Sequence, residues 1–121
     1  MIVDPALASE EYCYLTTRGR RTGIPRTIEI WFGLNGDTVY MLSGGRDRSN
    51  WVRNIQHDPS VSVRISTRTY SGRARLVKAD TDEDALARQR LLVKYSPGEG
   101  DLSAWGKTAL SVAVDLMNQE S

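Results

Sequence analysis

The chain has 121 residues, with 16 basic and 15 acidic side chains and a formal net charge of +1 at pH 7. This length predicts one domain, residues 1–121, which can bury a core without disulfide or metal staples. The near-neutral charge argues against a nucleic-acid-binding domain, which is typically basic. One cysteine and one histidine exclude an intramolecular disulfide and a Cys/His zinc site, so we expect no metal. No apolar segment reaches the roughly 20 residues of a membrane span and no signal peptide is recognisable, so we expect a cytoplasmic protein with no membrane partner.

Three consecutive strands are predicted in the first third of the chain. Residues 12–18 and 27–34 are rich in β-branched and aromatic side chains. Residues 37–43 follow Asn35-Gly36, a strong hairpin signal. We therefore expect the three strands to pair antiparallel in chain order.

The second of these strands has two distinct faces. Its apolar side chains alternate with the others and predict the face toward the core: Ile28, Ile30 and Phe32. The opposite face would carry Thr27, Glu29 and Trp31. A large exposed tryptophan is unusual unless something covers it, so Trp31 indicates either a ligand-binding wall or a subunit interface.

Two helices are predicted between the later strands. The first spans residues 49–58 and ends at the proline that follows. The second begins after Asp80 or Thr81 and runs to about Tyr95, because the Ser-Pro-Gly sequence that follows is expected to stop it.

The remaining strands are predicted at residues 60–66, 70–79 and 109–117. The element order is therefore β-β-β-α-β-β-α-β, an α+β fold of six strands and two inserted helices. So many strands in a short chain favour a closed or nearly closed antiparallel barrel, because closure removes exposed strand edges.

The turn between the first two strands concentrates positive charge. Residues 18–26, RGRRTGIPR, contain four arginines and no acidic residue. Glycine permits positive-φ turns that expose backbone N–H groups, and arginine matches phosphate or carboxylate oxygens in a bidentate manner. The turn is therefore either an anion site or a solvated hairpin tip that serves solubility.

A second basic stretch follows the third strand. Residues 43–54, SGGRDRSNWVRN, contain a glycine pair, two arginines and then the start of a helix, where free N–H groups favour anions. Within it, Trp51 either anchors the helix to the core or forms a wall for a flat ring.

Residues for acid–base or nucleophilic catalysis are scarce. The one histidine, His57, precedes a helix-ending Asp-Pro and is interpreted as solvent-facing or capping, and Cys13 as a small core residue. No catalytic residue is assigned, and an enzyme built on this chain would take its reactive centre from a cofactor.

Two stretches carry a family resemblance: YLTTRGRRTGIPRTIEIWF and VYMLSGGRDRSNWVRNIQHDPSVSVRI. They resemble the deazaflavin-dependent nitroreductase and quinone-reductase family, whose members are split β-barrels of the flavin-reductase and pyridoxamine-phosphate-oxidase type. The specific signature covers about residues 14–65, and the element order is similar over nearly the whole chain. The resemblance implies a six-stranded antiparallel split β-barrel.

The resemblance also implies a cofactor, the reduced 8-hydroxy-5-deazaflavin known as coenzyme F-420, which carries an anionic phosphate and γ-glutamyl tail. It places the following residues at the cofactor: Arg20, Arg21, Thr22, Arg26, Thr27, Ile28, Ser43, Gly44, Gly45, Arg46, Arg48, Trp51 and Asn54. It places Trp31 and Glu29 near a small-molecule acceptor such as a quinone, an enone or a nitro compound. The family's usual lysine after the loop serine is a glycine here, Gly44.

Three functional hypotheses stay open from the sequence. The first is an oxidoreductase that uses coenzyme F-420, and the second is the same barrel with FMN, which needs only one phosphate site. The third is a non-catalytic carrier of a planar anionic cofactor. The resemblance further implies a homodimer.

Overall fold

The structure is a computed structural model that describes residues 2–99 and 101–120. Within these residues, seven strands form one antiparallel sheet: β1 (Cys13–Arg18), β2 (Pro25–Ile30), β3 (Gly33–Asn35), β4 (Thr38–Ser43), β5 (Ser60–Ile65), β6 (Arg68–Leu76) and β7 (Leu110–Glu120). The strand order across the sheet is β2-β1-β5-β6-β7-β4-β3. The first and last strands of this order are therefore consecutive along the chain.

That connection corrects the predicted number of strands, which is seven and not six. The segment 27–34 is interrupted at Trp31 and Phe32, so that β2 pairs with β1 at one edge and β3 pairs with β4 at the other. The predicted pairing of strands in chain order is wrong at this point. Because only two residues join the opposite edges, the sheet must curl into a half-barrel.

At the interruption, the backbone of Phe32 is bonded by a side chain of the helix over Asp82–Glu99. The phenol oxygen of Tyr95 accepts a hydrogen bond from the backbone N–H of Phe32 at 3.0 Å and lies 3.1 Å from its carbonyl oxygen. The N–H of Phe32 is thereby satisfied by the Tyr95 oxygen, and its carbonyl also accepts from the ammonium of Lys94 at 3.1 Å, so side chains replace a strand neighbour here. The chain can leave one sheet edge here and join the other.

The described residues form three α-helices: α1 (Asn50–His57), α2 (Asp82–Glu99) and α3 (Ser103–Thr108). The first predicted helix is confirmed as α1. The expected end of the second near Tyr95 is wrong, because α2 continues through Pro97. Pro97 lacks an N–H and its ring crowds the carbonyl four residues earlier, but it lies in the last turn, so little helix remains beyond it to be disrupted. Neither α3 nor the short 3₁₀ turns Pro5–Ser9 and Arg46–Arg48 were predicted.

The sheet has buried side chains on both faces where β4 crosses it. Val39 and Met41 point into the main core inside the curled sheet, and Tyr40 and Leu42 point into a second cluster beneath α2. Cys13 lies in the main core and is fully buried, as predicted. None of the helices in the described part of the chain is both long and apolar enough to cross a membrane.

Candidate functional site

The arginine-rich turn between β1 and β2 is closed by its own backbone. The N–H of Gly19 donates to the carbonyl of Ile24 at 2.9 Å, and the N–H of Gly23 donates to the carbonyl of Gly19 at 2.8 Å. Gly23 has a φ of 72°, the left-handed conformation that glycine adopts without a steric penalty. The result is a compact turn from which the arginine side chains project.

Helix α1 holds this turn through Asn54, which is buried. Its Oδ1 accepts from the backbone N–H of Arg20 at 3.2 Å and from the Arg20 guanidinium at 3.0 Å. Its Nδ2 donates to the hydroxyl of Thr17 at 3.1 Å, and Asn50, one helical turn earlier, accepts from Arg20 at 3.3 Å. One side chain thus connects the helix, the end of β1 and the turn.

The turn, the first part of β2 and α1 surround a cleft of about 730 Å³, which we call the arginine cleft. Eight of the residues predicted at the cofactor line it: Arg20, Arg21, Thr22, Arg26, Thr27, Ile28, Trp51 and Asn54. Four further lining residues were not predicted: Thr17, Gly19, Pro25 and Asn50. Asn50 could have been found from its i, i+4 spacing to Asn54, which places both on one helix face.

The arginine cleft is electropositive. In the described part of the chain, no acidic residue lines it, and the Arg20 side chain is bonded only to the neutral amides of Asn50 and Asn54. Within the described residues, neither Arg21 nor Arg26 forms an ion pair. The fourth arginine of the turn, Arg18, is 3.6 Å from Asp58 and lies outside the lining. The cleft therefore presents three uncompensated guanidinium groups to a ligand.

The loop after β4 lies outside this lining. Ser43 is buried, and its hydroxyl donates to the carbonyl of Arg46 and lies 2.8 Å from the hydroxyl of Ser49. The Arg46 guanidinium donates to the carbonyl of Thr108 at the end of α3, where a cation is favourable. The Arg46 guanidinium therefore binds the C-terminal end of α3, a helix that was not predicted from the sequence.

The neighbouring residues of this loop also face structures other than the cleft. A Cβ on Gly44 would lie 3.5 Å from the Trp105 ring, and one on Gly45 would clash with the Ser49 hydroxyl. Arg48 is exposed. The residues predicted at the cofactor thus fall into two groups, one lining the cleft and one, at 43–48, outside its lining.

Trp31 lies at the crossover between β2 and β3 and is half-buried, whereas the alternation pattern predicted exposure. It stacks on Tyr95, with ring centroids 4.3 Å apart and 6° between the planes. It meets Trp105 edge to face at 5.7 Å and 88°. Neither contact was predicted from the sequence, because Tyr95 and Trp105 lie on α2 and α3, far along the chain.

Glu29 does not share these partners. It accepts a hydrogen bond from the hydroxyl of Tyr14 on the neighbouring strand at 2.8 Å, and this bond raises the pKa of Tyr14. The guanidinium of Arg64 lies 4.1 Å from the centroid of the same tyrosine ring. Glu29 therefore bonds Tyr14, whereas Trp31 packs on Tyr95 and Trp105, and both act on the neighbouring Tyr12.

Tyr95 holds the crossover in place. Besides its contacts with Phe32, its hydroxyl lies 2.8 Å from the carbonyl of Glu11, to which it can donate. Burial raises the pKa of Tyr95 to about 12, so the phenol is protonated at neutral pH and can serve as a donor. No local sequence signal marks this residue as an anchor.

Comparison with known proteins shows a family match. The model of the family described as F420H(2)-dependent quinone reductase matches residues 5–117, which is nearly the whole chain. Similarity to a solved F420-H2 dependent reductase has a TM-score of 0.71 at 18% identity, and covers 86% of this chain and 93% of that one.

Two other solved structures share the fold. A candidate 5-nitroimidazole antibiotic resistance protein from Bacteroides thetaiotaomicron has a TM-score of 0.75 at 14% identity, covering 98% of this chain and 84% of that one. The heme storage protein HutZ from Vibrio cholerae has a TM-score of 0.71 at 14% identity, covering 91% and 87%. Because proteins of different function share this fold, a function has to be argued from the site.

Proposed function

The chain belongs to the F420H(2)-dependent quinone reductase family, and from this premise we propose that it transfers a hydride from reduced coenzyme F-420 to a small electron-poor acceptor. A quinone is the first acceptor to test. The observation that carries the proposal is the arginine cleft, with three guanidinium groups and, over residues 2–99 and 101–120, no acidic residue in its lining. Oxidoreductase chemistry agrees with the scarcity of acid–base residues in the sequence.

The donor set of the cleft fits the anionic groups of this coenzyme. Guanidinium groups bind phosphate and carboxylate oxygens with forked hydrogen bonds, and Arg20, Arg21 and Arg26 supply three of them. Ile28 and Trp51 add apolar and aromatic surface to the same lining. A volume of about 730 Å³ is within the usual range of cofactor pockets.

When bound, the reduced deazaflavin supplies the hydride, and the protein supplies position and charge. Asn54 holds Arg20 in a fixed orientation, which lowers the cost of ordering that side chain when a ligand binds. Arg21 and Arg26 would hold phosphate or tail carboxylates. Trp31, held by Tyr95 and Trp105, would offer a flat surface against which a planar acceptor can lie.

The first experiment tests the cofactor. Purified protein is titrated with coenzyme F-420 and, separately, with FMN, and cofactor fluorescence is followed. Tighter binding of coenzyme F-420 is expected, because a γ-glutamyl tail adds carboxylates that FMN lacks. Failure of both to bind at tens of micromolar would contradict the proposal. Turnover of the reduced coenzyme with a panel of quinones then separates an enzyme from a carrier.

The arginine cleft can be tested with a charge-matched pair of variants. The double variant Arg21→Ala and Arg26→Ala is expected to raise the Kd for coenzyme F-420 at least tenfold, because two charge-assisted contacts are lost. The control, Arg64→Ala with Arg73→Ala, removes the same charge from residues outside the lining. An equal loss of affinity in both variants would assign the effect to net charge instead of the cleft.

We further propose that the protein is a homodimer, as the resemblance implies. Size-exclusion chromatography with light scattering measures the mass directly. A mass of 13.5 kDa, that of one chain, over the working concentration range would refute the dimer and leave the cofactor proposal intact.

A further inference from the structure

A second groove, of about 460 Å³, lies between β3 and α2 and shares no lining residue with the arginine cleft. We call it the α2 groove. Leu34 lies on the strand side, and Leu86, Arg90, Val93 and Lys94 lie on the helix side. It contributes nothing to the coenzyme site described above, so its chemistry calls for a separate explanation.

Helix α2 presents two different faces. Ala87, Leu91 and Tyr95, at spacings of four residues, point into the buried cluster against the sheet. Leu86 is partly buried against the same cluster and lines the groove with its remaining surface, and Val93 lines the groove from a different part of the helix. Val93 is 70% exposed. The exposed apolar surface of the groove is therefore mainly that of Val93, beside the partly buried Leu86 and the buried Leu34.

The floor of the groove depends on a glycine. A Cβ placed on Gly33 of β3 would come within 2.7 Å of the Cβ of Arg90, so a larger residue would push the helix and the strand apart. This close approach joins α2 to β3 beneath the groove. The walls are therefore supported by regular elements on both sides.

The groove is also positively charged. Arg90 and Lys94 are four residues apart on α2, a spacing at which like charges repel. Among the described residues no acidic side chain lines the groove, although the charge of Glu10, outside the lining, acts on Lys94 and opposes the lowering of its pKa by burial. Within the described residues, neither Arg90 nor Lys94 forms an ion pair. Arg90 donates to the side-chain carbonyl of Asn35 at 3.2 Å, a neutral partner. An anion would relieve the repulsion.

The ammonium of Lys94 is held against Phe32. It donates to the carbonyl of Phe32 at 3.1 Å and lies 3.7 Å from the centroid of the Phe32 ring. Half-burial lowers the pKa of Lys94 to about 8, because desolvation disfavours the charged form. A bound anion would compensate that desolvation.

We propose that the α2 groove binds a monocarboxylate with an apolar body, its carboxylate at Arg90 and Lys94 and its hydrocarbon along Leu34, Leu86 and Val93. The two cations select the charged group, and the exposed side chain of Val93, with the accessible parts of Leu86 and Leu34, selects the body. The groove volume of about 460 Å³ is far larger than an inorganic anion would fill. A ligand with no hydrocarbon body would leave the apolar side chains in contact with water and would gain no hydrophobic free energy.

The test uses the full chain without coenzyme, so its outcome is independent of the proposed reductase activity. Octanoate is titrated by isothermal calorimetry, with 1-octanol as the neutral analogue and acetate as the headgroup alone. Saturable binding of octanoate is expected, with octanol and acetate each at least tenfold weaker. Absence of octanoate binding at millimolar concentration, or equal binding of octanol, would overturn the proposal.

Variants locate the site. Lys94→Met keeps an apolar stem over Phe32 and is expected to weaken octanoate binding about tenfold, whereas Lys78→Met, at an exposed lysine outside the groove lining, is expected to leave it unchanged. Val93→Glu places a negative charge in the groove at an exposed position, so it tests the site even where Lys94→Met fails to fold. Wild-type affinity in Val93→Glu would place octanoate elsewhere and overturn the proposal.

Discussion

At the scale of single residues, two buried tyrosines show how differently one side chain can be accommodated. The hydroxyl of Tyr95 meets the backbone of Phe32 and of Glu11. The hydroxyl of Tyr70 is buried in the main core and has no hydrogen-bond partner among the described residues. A buried hydroxyl without a partner loses its hydration uncompensated, at a cost of about 1–3 kcal/mol.

The two tyrosines therefore predict opposite responses to the same substitution. Tyr70→Phe is expected to leave the free energy of unfolding unchanged or to raise it, since it removes an unpaired polar group. Tyr95→Phe is expected to lower it by about 1–3 kcal/mol, because the N–H of Phe32 loses its acceptor. Urea unfolding measures both. A larger loss in Tyr70→Phe than in Tyr95→Phe would contradict this account.

At the scale of elements, the β1–β2 turn depends on a helix that lies more than twenty residues further along the chain. The turn closes locally through its glycines, but Asn54 of α1 binds both the backbone and the guanidinium of Arg20. Asn54 also satisfies the buried hydroxyl of Thr17. The helix thereby converts a surface turn into one wall of the arginine cleft.

Asn54→Ala is expected to loosen this wall. The hydroxyl of Thr17 and the N–H of Arg20 lose their partner, so the protein should be less stable by about 1–3 kcal/mol. Trypsin should cut after Arg20 or Arg21 faster than in the wild type, because local opening exposes the turn. Gln56→Ala, at an exposed position of the same helix, is the control. Equal cleavage rates in the two variants would show that Asn54 does not hold the turn.

At the scale of the whole molecule, one arginine joins the sheet to α2. Arg75 of β6 donates to both carboxylate oxygens of Glu83 on α2, at 2.6 and 2.7 Å, and to Asp115 of β7 at 2.8 Å. Tyr40 of β4 donates to Glu83 at 2.8 Å. The hydrogen bonds from Arg75 lower the pKa of Glu83 from its ordinary 4.5 to about 2. The same guanidinium lowers the pKa of Asp115.

This network predicts a specific dependence of stability on pH. The pKa of Glu83 is lower in the folded than in the unfolded chain. Glu83 therefore stabilises the fold at pH values above its ordinary pKa of 4.5, and this stabilisation is lost as pH falls toward about 2. The side chains of Arg75 and Glu83 are 41% and 34% exposed. Solvent therefore screens their attraction, and the ion pair adds little to the free energy of unfolding. Arg75→Met should therefore reduce stability at neutral pH, and its deficit relative to wild type should shrink near pH 2.

Chemical denaturation of both proteins at the two pH values checks this prediction. Arg73→Met is the control, since Arg73 lies on the same strand, is exposed and forms no ion pair within the described residues. A deficit of Arg75→Met that stays constant with pH would assign the effect to lost packing of its stem instead of its charge.

Much of this protein follows from short stretches of its sequence. The positions of α1, of most strands and of the arginine turn were predictable, because alternation, glycine turns and helix-ending residues act over a few neighbours. The eight predicted residues in the arginine cleft come from two such stretches, 18–28 and 51–54. The family was recognisable for the same reason, since its signature is a set of local motifs.

Tertiary structure alone decided the rest. Where one predicted strand divides into β2 and β3, the N–H of Phe32 is bonded by Tyr95, 63 residues later, and the guanidinium of Arg46 is bonded by a carbonyl 62 residues away. The burial of Trp31 likewise depends on rings from α2 and α3. Backbone and guanidinium groups take whichever partner the folded chain brings to them, and periodicity carries no information about partners so far apart.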